Sequence, residues 1–334
     1  MAANTSWWIQ MENVAVLWER QPTFIISQAV FIAAGIITLR HAFQKGGRWP
    51  YFWLATVLHG LYADNFWHFV LPEYDNFWHS QTPIMFLGGR LPLHIICLYP
   101  AFIYQAAFAV SRLGLPAYAE PFAVGLLTVL IDIPYDIVAV KFVHWTWHDT
   151  DPNIFDRHYW VPWNSYYFHA SFTASLVYFF NASRTWFKPR FPQWQSASLT
   201  TLDYVLIIQL AVHYLIYWIF VVFFDPAKEI SVGLHEPVGP CNETTPLITP
   251  FGKTLYKRKY FCPHDYDEGY FDFHCGNKPV NGDVWYTICG TPFHNRAEYI
   301  AVLTSILIVA AGVFRGIYFT IPIRKPVAGK LKYK

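Results

Sequence analysis

Residues Thr201 to Phe224, TLDYVLIIQLAVHYLIYWIFVVFF, decide what kind of protein this is. Beyond Asp203 the run holds no Asp, Glu, Lys or Arg. A helix of that length, rising 1.5 Å per residue, covers the roughly 30 Å of a bilayer's hydrocarbon. Working outward, windows at about 22–42, 49–71, 91–111, 118–142, 160–181 and 297–320 have the same character. Composition agrees: 54% of the 334 residues are hydrophobic and only 14% charged, against roughly a quarter charged in soluble domains. The expected fold is an all-α, polytopic membrane bundle of seven transmembrane helices. Pro100, Pro121 and Pro134 fall inside windows and should kink them, which a membrane tolerates where neighbouring helices satisfy the freed carbonyls.

Orientation follows from the basic residues. Arg40, Lys45 and Arg48 lie between the first two windows, Arg112 between the third and fourth, Arg184, Lys188 and Arg190 between the fifth and sixth, and Arg324, Lys325, Lys330, Lys332 and Lys334 after the last. All share one side, which the positive-inside rule makes cytosolic, so the amino terminus is expected outside the cytosol. The first twenty residues lack a basic region followed by an apolar core, and no cleavable signal is expected there. The chain then divides into an outside segment (1–21), a six-span bundle (22–224), a loop (225–296), a seventh span (297–320) and a basic cytosolic tail (321–334).

That loop holds Cys241, Cys262, Cys275 and Cys289, four of the five cysteines. An even set in one polar segment reads as two disulfides, with three connectivities open, and requires an oxidising compartment. Cys97, inside a window, is expected as a packed thiol. The sequons at Asn4 and Asn242 fall on the same outside face, making both candidate glycosylation sites; the one at Asn181 falls at a cytosolic helix end. Lys330-Leu-Lys332-Tyr-Lys334 has the spacing of a dilysine retrieval address or is a plain basic tail. Localisation in the endoplasmic reticulum is favoured, with the plasma membrane as the alternative.

Ionisable groups inside spans are costly and ask for partners or a cavity. Here they gather on the outside halves. Asp64 and His68 share a face of the second window, Asp132 and Asp136 a face of the fourth; Asn164, Tyr167 and His169 open the fifth, and His213 reaches mid-depth in the sixth. A single lumen-facing pocket explains this convergence; interhelical hydrogen bonding is the plainer alternative. Asp132 and Asp136, one turn apart in low dielectric, cannot comfortably both carry charge, which suits one of them to be a proton donor; an Asp simply paired with Lys141 or a nearby His is the equal alternative. Asp132, Asp136, Asp64, His68 and His169 are therefore the catalytic candidates, with Trp145, Trp147, Asn164, Tyr167 and His213 contacting substrate. His144 and His148 are four apart, the spacing of metal ligands if the helix continues, so a divalent metal is a candidate cofactor. The motif Asp64-Asn-Phe-Trp-His68 recurs as Asp75-Asn-Phe-Trp-His79, beyond Pro72; this copy either presents a second His and Asp to the pocket mouth or places its Phe and Trp in the interfacial belt, the favoured reading. No phosphate-binding glycine loop, GxSxG, CxxC, HExxH or basic-aromatic patch occurs, which sets nucleic acid aside as a partner.

The stretch Ile131–Phe172, IDIPYDIVAVKFVHWTWHDTDPNIFDRHYWVPWNSYYFHASF, together with DNFWH, resembles uncharacterised multi-pass membrane proteins of invertebrates and other eukaryotes, a likeness that brings no activity. Over about forty residues, an intramembrane Asp followed by W-x-W and V-P-W-N is similar to carotenoid-biosynthesis membrane proteins that hydrate polyprenoid ends. That resemblance implies roles for Asp132, Asp136, Trp145, Trp147, Pro162 and Asn164 and leaves the cysteine loop outside it. The expected function is an enzyme acting on a lipid or isoprenoid; a solute or proton-coupled carrier and a membrane scaffold are the alternatives.

Overall fold

The computed structural model describes residues 6–148, 155–187, 198–249 and 251–320. Asn4 and the dilysine tail lie outside them. A short α1 (Val14–Arg20) leads into α2 (Pro22–Lys45) and α3 (Trp49–Val70). Next come α4 (Leu93–Tyr99) and α5 (Gln105–Ser111), one rod joined through the π turn Pro100–Tyr104. Pro100 cannot donate to the turn before it, and the wider turn accommodates its ring. Then follow α6 (Glu120–Lys141), α7 (Trp163–Phe187), α8 (Thr201–Phe223) and α9 (Arg296–Arg315). Every apolar window is thus a helix.

Five of these helices are long and apolar enough to cross a membrane: Pro22–Lys45, Leu93–Ser111, Glu120–Lys141, Thr201–Phe223 and Arg296–Thr320. The other two long helices, α3 and α7, are diluted by His59, Asn65 and His68 and by Asn164, Ser165, His169, Ser171 and Ser175. Much of that polarity is absorbed locally: Asn65, Ser171 and Ser175 each donate to the carbonyl four residues back.

Helix contacts are close because small residues stand at the crossings. A Cβ at Gly35 of α2 would come within 2.7 Å of Cys97 Cβ, so the thiol predicted to be packed lies on that crossing. At the end of the bundle away from the disulfides, His41 is fully buried and bonds Tyr104 (2.7 Å) and Asp203 (2.8 Å), which also takes Lys45. Deeper in, Gln105 donates to Gln209. That half is less apolar than expected, but these groups satisfy one another.

The all-α expectation needs correcting at the other end, where the connections fold together as a cap rich in short strands. They are β1 (Ile9–Met11), β2 (Phe77–His79), β3 (Ile84–Phe86), β4 (Leu91–Pro92), β5 (Trp145–Trp147), β6 (Arg157–His158), β7 (Val161–Pro162), β8 (Ile230–Leu234), β9 (Thr244–Ile248), β10 (Thr254–Arg258), β11 (Phe271–Asp272) and β12 (Trp285–Gly290). The sheets are β1-β3-β4, β11-β12-β8, β2-β5, β6-β7 and the hairpin β9-β10, all antiparallel. Of the three connectivities open from sequence, Cys241–Cys262 and Cys275–Cys289 form. The first closes the base of the hairpin and the second fastens the 276–288 segment to β12. The region 225–296 packs on the rest of the cap and on α6: Gln81 N–H bonds Val232 O at 2.8 Å, and Lys141 reaches out of α6 to Thr291 Oγ1 (2.9 Å) and Pro292 O (3.0 Å).

Glu229 locks the cap to the start of α2. Its buried carboxyl faces the Thr23 hydroxyl and backbone N–H, at the start of a helix whose first N–H groups have no intrahelical partner. Burial pushes its pKa up to about 8 despite those two donors. The acid is then protonated in the fold at a pH where it ionises in the unfolded chain. Its contribution is complete below the unfolded value and is lost as pH rises through about 8. Thermal stability in detergent should fall between pH 5 and 8 by on the order of 1 kcal/mol per pH unit more in the native protein than in Glu229→Gln, and run level with it above that. Parallel curves for the two proteins would refute the assignment.

Candidate functional site

Asp132 and Asp136 sit one turn apart on the inward face of α6, either side of Pro134. Pro134 has no N–H for Leu130 O, and its ring crowds the turn below, so two carbonyls need other donors. Helix α8 supplies them: Tyr214 OH donates to Leu130 O at 2.7 Å and His213 Nε2 to Ile131 O at 2.8 Å. His213, expected to touch substrate, instead donates to the α6 backbone one turn before Pro134. Tyr214→Phe should destabilise the protein by about 1 kcal/mol in thermal unfolding. In a Pro134→Ala background, where α6 can satisfy itself, the same change should cost nothing.

Helix α7 brings the third ionisable group. A Cβ at Gly125 of α6 would lie 2.3 Å from Ala170 O, so only glycine lets the two backbones approach this far. That approach sets His169 Nδ1 at 3.4 Å from Asp132 Oδ2, a buried oxygen with no hydrogen bond among the described residues. Ser165 Oγ donates to Asp136 Oδ2 at 2.8 Å. His169 Nδ1 also meets Ser165 O at 2.8 Å, which places the proton on Nδ1 and leaves Nε2 as the basic nitrogen of the neutral ring. The ligating atoms of Asp132, Asp136 and His169 fall within 4.8 Å of one another and could hold a cation.

These three line a cavity of about 330 Å³, large enough for part of a lipid. Its roof is the β2-β5 pair, whose register sets Phe77 opposite Trp147, Trp78 opposite Thr146 and His79 opposite Trp145. Side chains alternate across a strand, so Phe77, His79, Trp145 and Trp147 face the cavity while Trp78 and Thr146 face the cap. The walls are His59 and Ala63 of α3, Ile95, Leu98 and Tyr99 of α4, Tyr135 of α6, Pro162 of β7 and Asn164, Phe168 and Phe172 of α7. Gly60 makes room for Tyr99, whose ring would lie 2.3 Å from a Cβ there.

Of the residues singled out from sequence, the cavity gathers Asp132, Asp136, His169, Trp145, Trp147 and Asn164. The side chain of Asp64 lies outside the described residues. His68 donates to Asp75 Oδ2 at 2.8 Å, and Tyr167 is exposed on the outer face of α7. His144 and His148 are not on a helix, because α6 stops at Lys141 and Val143 takes a left-handed φ of 51°. His144 bonds Thr23 Oγ1 (2.9 Å) and stacks on Phe24, its burial holding the imidazole well below the usual range and neutral. His148 lies in the cap core against Phe261, 3.5 Å from Glu268 Oε1. The two therefore form no ligand pair, and among the described residues the donors brought together around the cavity are Asp132, Asp136 and His169. Asp272, His274 and Cys289 also cluster, but Cys289 is committed to its disulfide.

Sequence reasoning missed His59, Tyr99, Tyr135 and Ser165. Of the second DNFWH copy, His79 lines the cavity with Asn76, while Asp75 pairs with Arg90.

A family model described as a domain of unknown function, DUF7802, matches residues 1–202 and 193–321. The chain belongs to this family. The DUF7802 matches run through every helix that lines the cavity and through the cap. No curated protein and no solved structure matches the chain.

Proposed function

We propose that this protein spans the membrane seven times, amino terminus outside, and is an enzyme of the endoplasmic reticulum that hydrates or otherwise protonates a double bond of an isoprenoid or related lipid. One observation carries the reading: the residues of the intramembrane Asp, W-x-W and V-P-W-N motifs, namely Asp132, Asp136, Trp145, Trp147, Pro162 and Asn164, line a single aromatic cavity. These motifs are similar to those of membrane proteins that hydrate polyprenoid ends. Two carboxyl groups this close in a dry site share one proton. The protonated carboxyl delivers it to the less substituted carbon of the terminal double bond: a C–H bond forms there, the π bond breaks, and a tertiary cation results on the other carbon. The faces of Tyr135, Trp145, Trp147 and Phe168 stabilise that cation. Water adds to it, and the oxonium proton passes to His169 Nε2 or back to the carboxylate pair, giving a tertiary alcohol.

A divalent metal on the same three donors is the second reading, favoured by the buried Asp132 Oδ2 that takes no hydrogen bond among the described residues. The carrier reading is not adopted, because His41, Asp203, Gln105 and Gln209 satisfy one another and none lines the cavity. Native mass spectrometry with metal analysis on detergent-purified protein tests these readings. An isoprenoid or lipid that co-purifies, and is lost with Asp132→Asn or His169→Ala, supports the enzyme. Stoichiometric metal lost in the same variants supports the second reading. Unchanged lipid turnover after alanine at both Asp132 and Asp136 would overturn the first.

A further inference from the structure

The cap exposes an apolar finger that its own core does not use. Hairpin β9-β10 has an inner face, where Leu247 is buried and Lys257 Nζ donates to Asp75 O at 3.2 Å, and an outer face formed by the pairs Ile248–Thr254 and Pro246–Tyr256. On that outer face Ile248 is 70% and Tyr256 66% exposed, and Phe251 at the turn is 97% exposed. Gly252 supports the turn with a φ of 77°. The tip end is not adrift: Tyr74 OH donates to Ile248 O at 3.3 Å, and Tyr74 belongs to the turn that immediately follows α3.

We propose that this hairpin seats its tip and outer face in the bilayer leaflet on the cap side. The inference rests on the reading of α3 as a span, and continuity with that span argues for lipid over a protein partner. Phe69 and Val70, the last residues of α3, are exposed, Trp7 packs 6.1 Å from Phe69, and Trp8 is exposed beside it. Through Tyr74, in the turn just past Val70, the hairpin is pinned close beyond this aromatic and aliphatic rim, where α3 as a span leaves the hydrocarbon. Lys253, exposed two residues from Phe251, stands where it can meet lipid phosphate. Exposed apolar surface of this kind in water calls for a cover, and a leaflet at the same level is the cover the geometry offers. Since Tyr74 also lines the cavity, the seated finger borders the site, and the substrate class it would meet is a lipid of that leaflet.

The test places an environment-sensitive fluorophore at Phe251→Cys in a Cys97→Ser background, with the full chain in phosphatidylcholine nanodiscs carrying doxyl groups at shallow or deep acyl positions. Leu58→Cys on α3, exposed at mid-helix, serves as the reference. Severalfold quenching at position 251 by the shallow label, with little quenching by aqueous iodide, is the expected result. A deep-quenched reference with position 251 open to iodide overturns the docking and leaves the spans standing. Protection of position 251 from both quenchers also overturns it, in favour of a protein cover. Failure of lipid quenching at both positions removes the span reading together with the docking.

Discussion

Asp132→Asn is expected to lower turnover of an isoprenoid alkene by about 10²–10⁴-fold, the range that a positioned acid contributes, while leaving the protein folded. Asn keeps the shape of the carboxyl and can accept from its neighbours, but it cannot deliver a proton to carbon. Burial of a carboxylate without hydrogen bonds to both oxygens is costly, and Asp132 has one oxygen in that state. Taking one buried titratable carboxyl out of the pair should therefore leave the melting temperature unchanged or raise it, the pattern expected where a group is kept for chemistry at the expense of stability. Asp136→Asn should also lose activity but shift the pH profile differently, since Asp136 is braced by Ser165 and Asp132 is not. Mass-spectrometric product analysis and thermal unfolding on the same preparations check both halves. A variant that falls in activity only in proportion to its loss of folded protein would assign Asp132 to structure.

The helices were legible because each needs only length and apolarity, and those are local properties of the chain. Even α3 and α7, which miss the apolarity of the other five, begin and end within a few residues of their windows. The cap was not legible for the converse reason. Its strands are two to six residues long, and Trp78 pairs with Thr146 across 68 positions, so no periodicity within one segment names its partner. The metal pair failed at one backbone angle. Had α6 continued, four residues would separate His144 and His148 by about 6 Å; along an extended chain they cover about 13 Å. His213 sits at the depth of the site, as depth alone suggested, but depth does not say which neighbour a side chain faces. Pro134 was the available clue, since a proline inside a span obliges some neighbour to donate to its freed carbonyl. Asp132, Asp136 and His169 converged as expected because two share one helix face and the third follows a glycine contact that fixes the adjacent helix.

Arg90→Met should be the most damaging single change in the cap, costing about 3–5 kcal/mol, the loss seen when one member of a buried ion pair is removed. The Arg90 side chain is fully buried and its Nη2 lies 2.7 Å from Asp75 Oδ1, while Nη1 donates to Phe77 O. Its guanidinium also lies 4.7 Å from the Phe77 ring centroid. The fork thus holds both the acid that opens the second DNFWH copy and the backbone of β2. Without it, Asp75 would keep a charge in the cap interior with His68 on its carboxylate and Lys257 held on its backbone carbonyl. Arg90→Lys cannot span carboxylate and carbonyl together and should recover only part of the loss. Pairing Arg90→Met with Asp75→Leu removes both charges and should restore more stability than the single changes predict, which a double-mutant cycle measures as coupling. Because Phe77 and His79 roof the cavity, Arg90→Met should also weaken lipid retention under conditions where the helices stay intact. A cost below about 1 kcal/mol, typical of exposed pairs, would mean that Arg90 and Asp75 are not the buried clasp described.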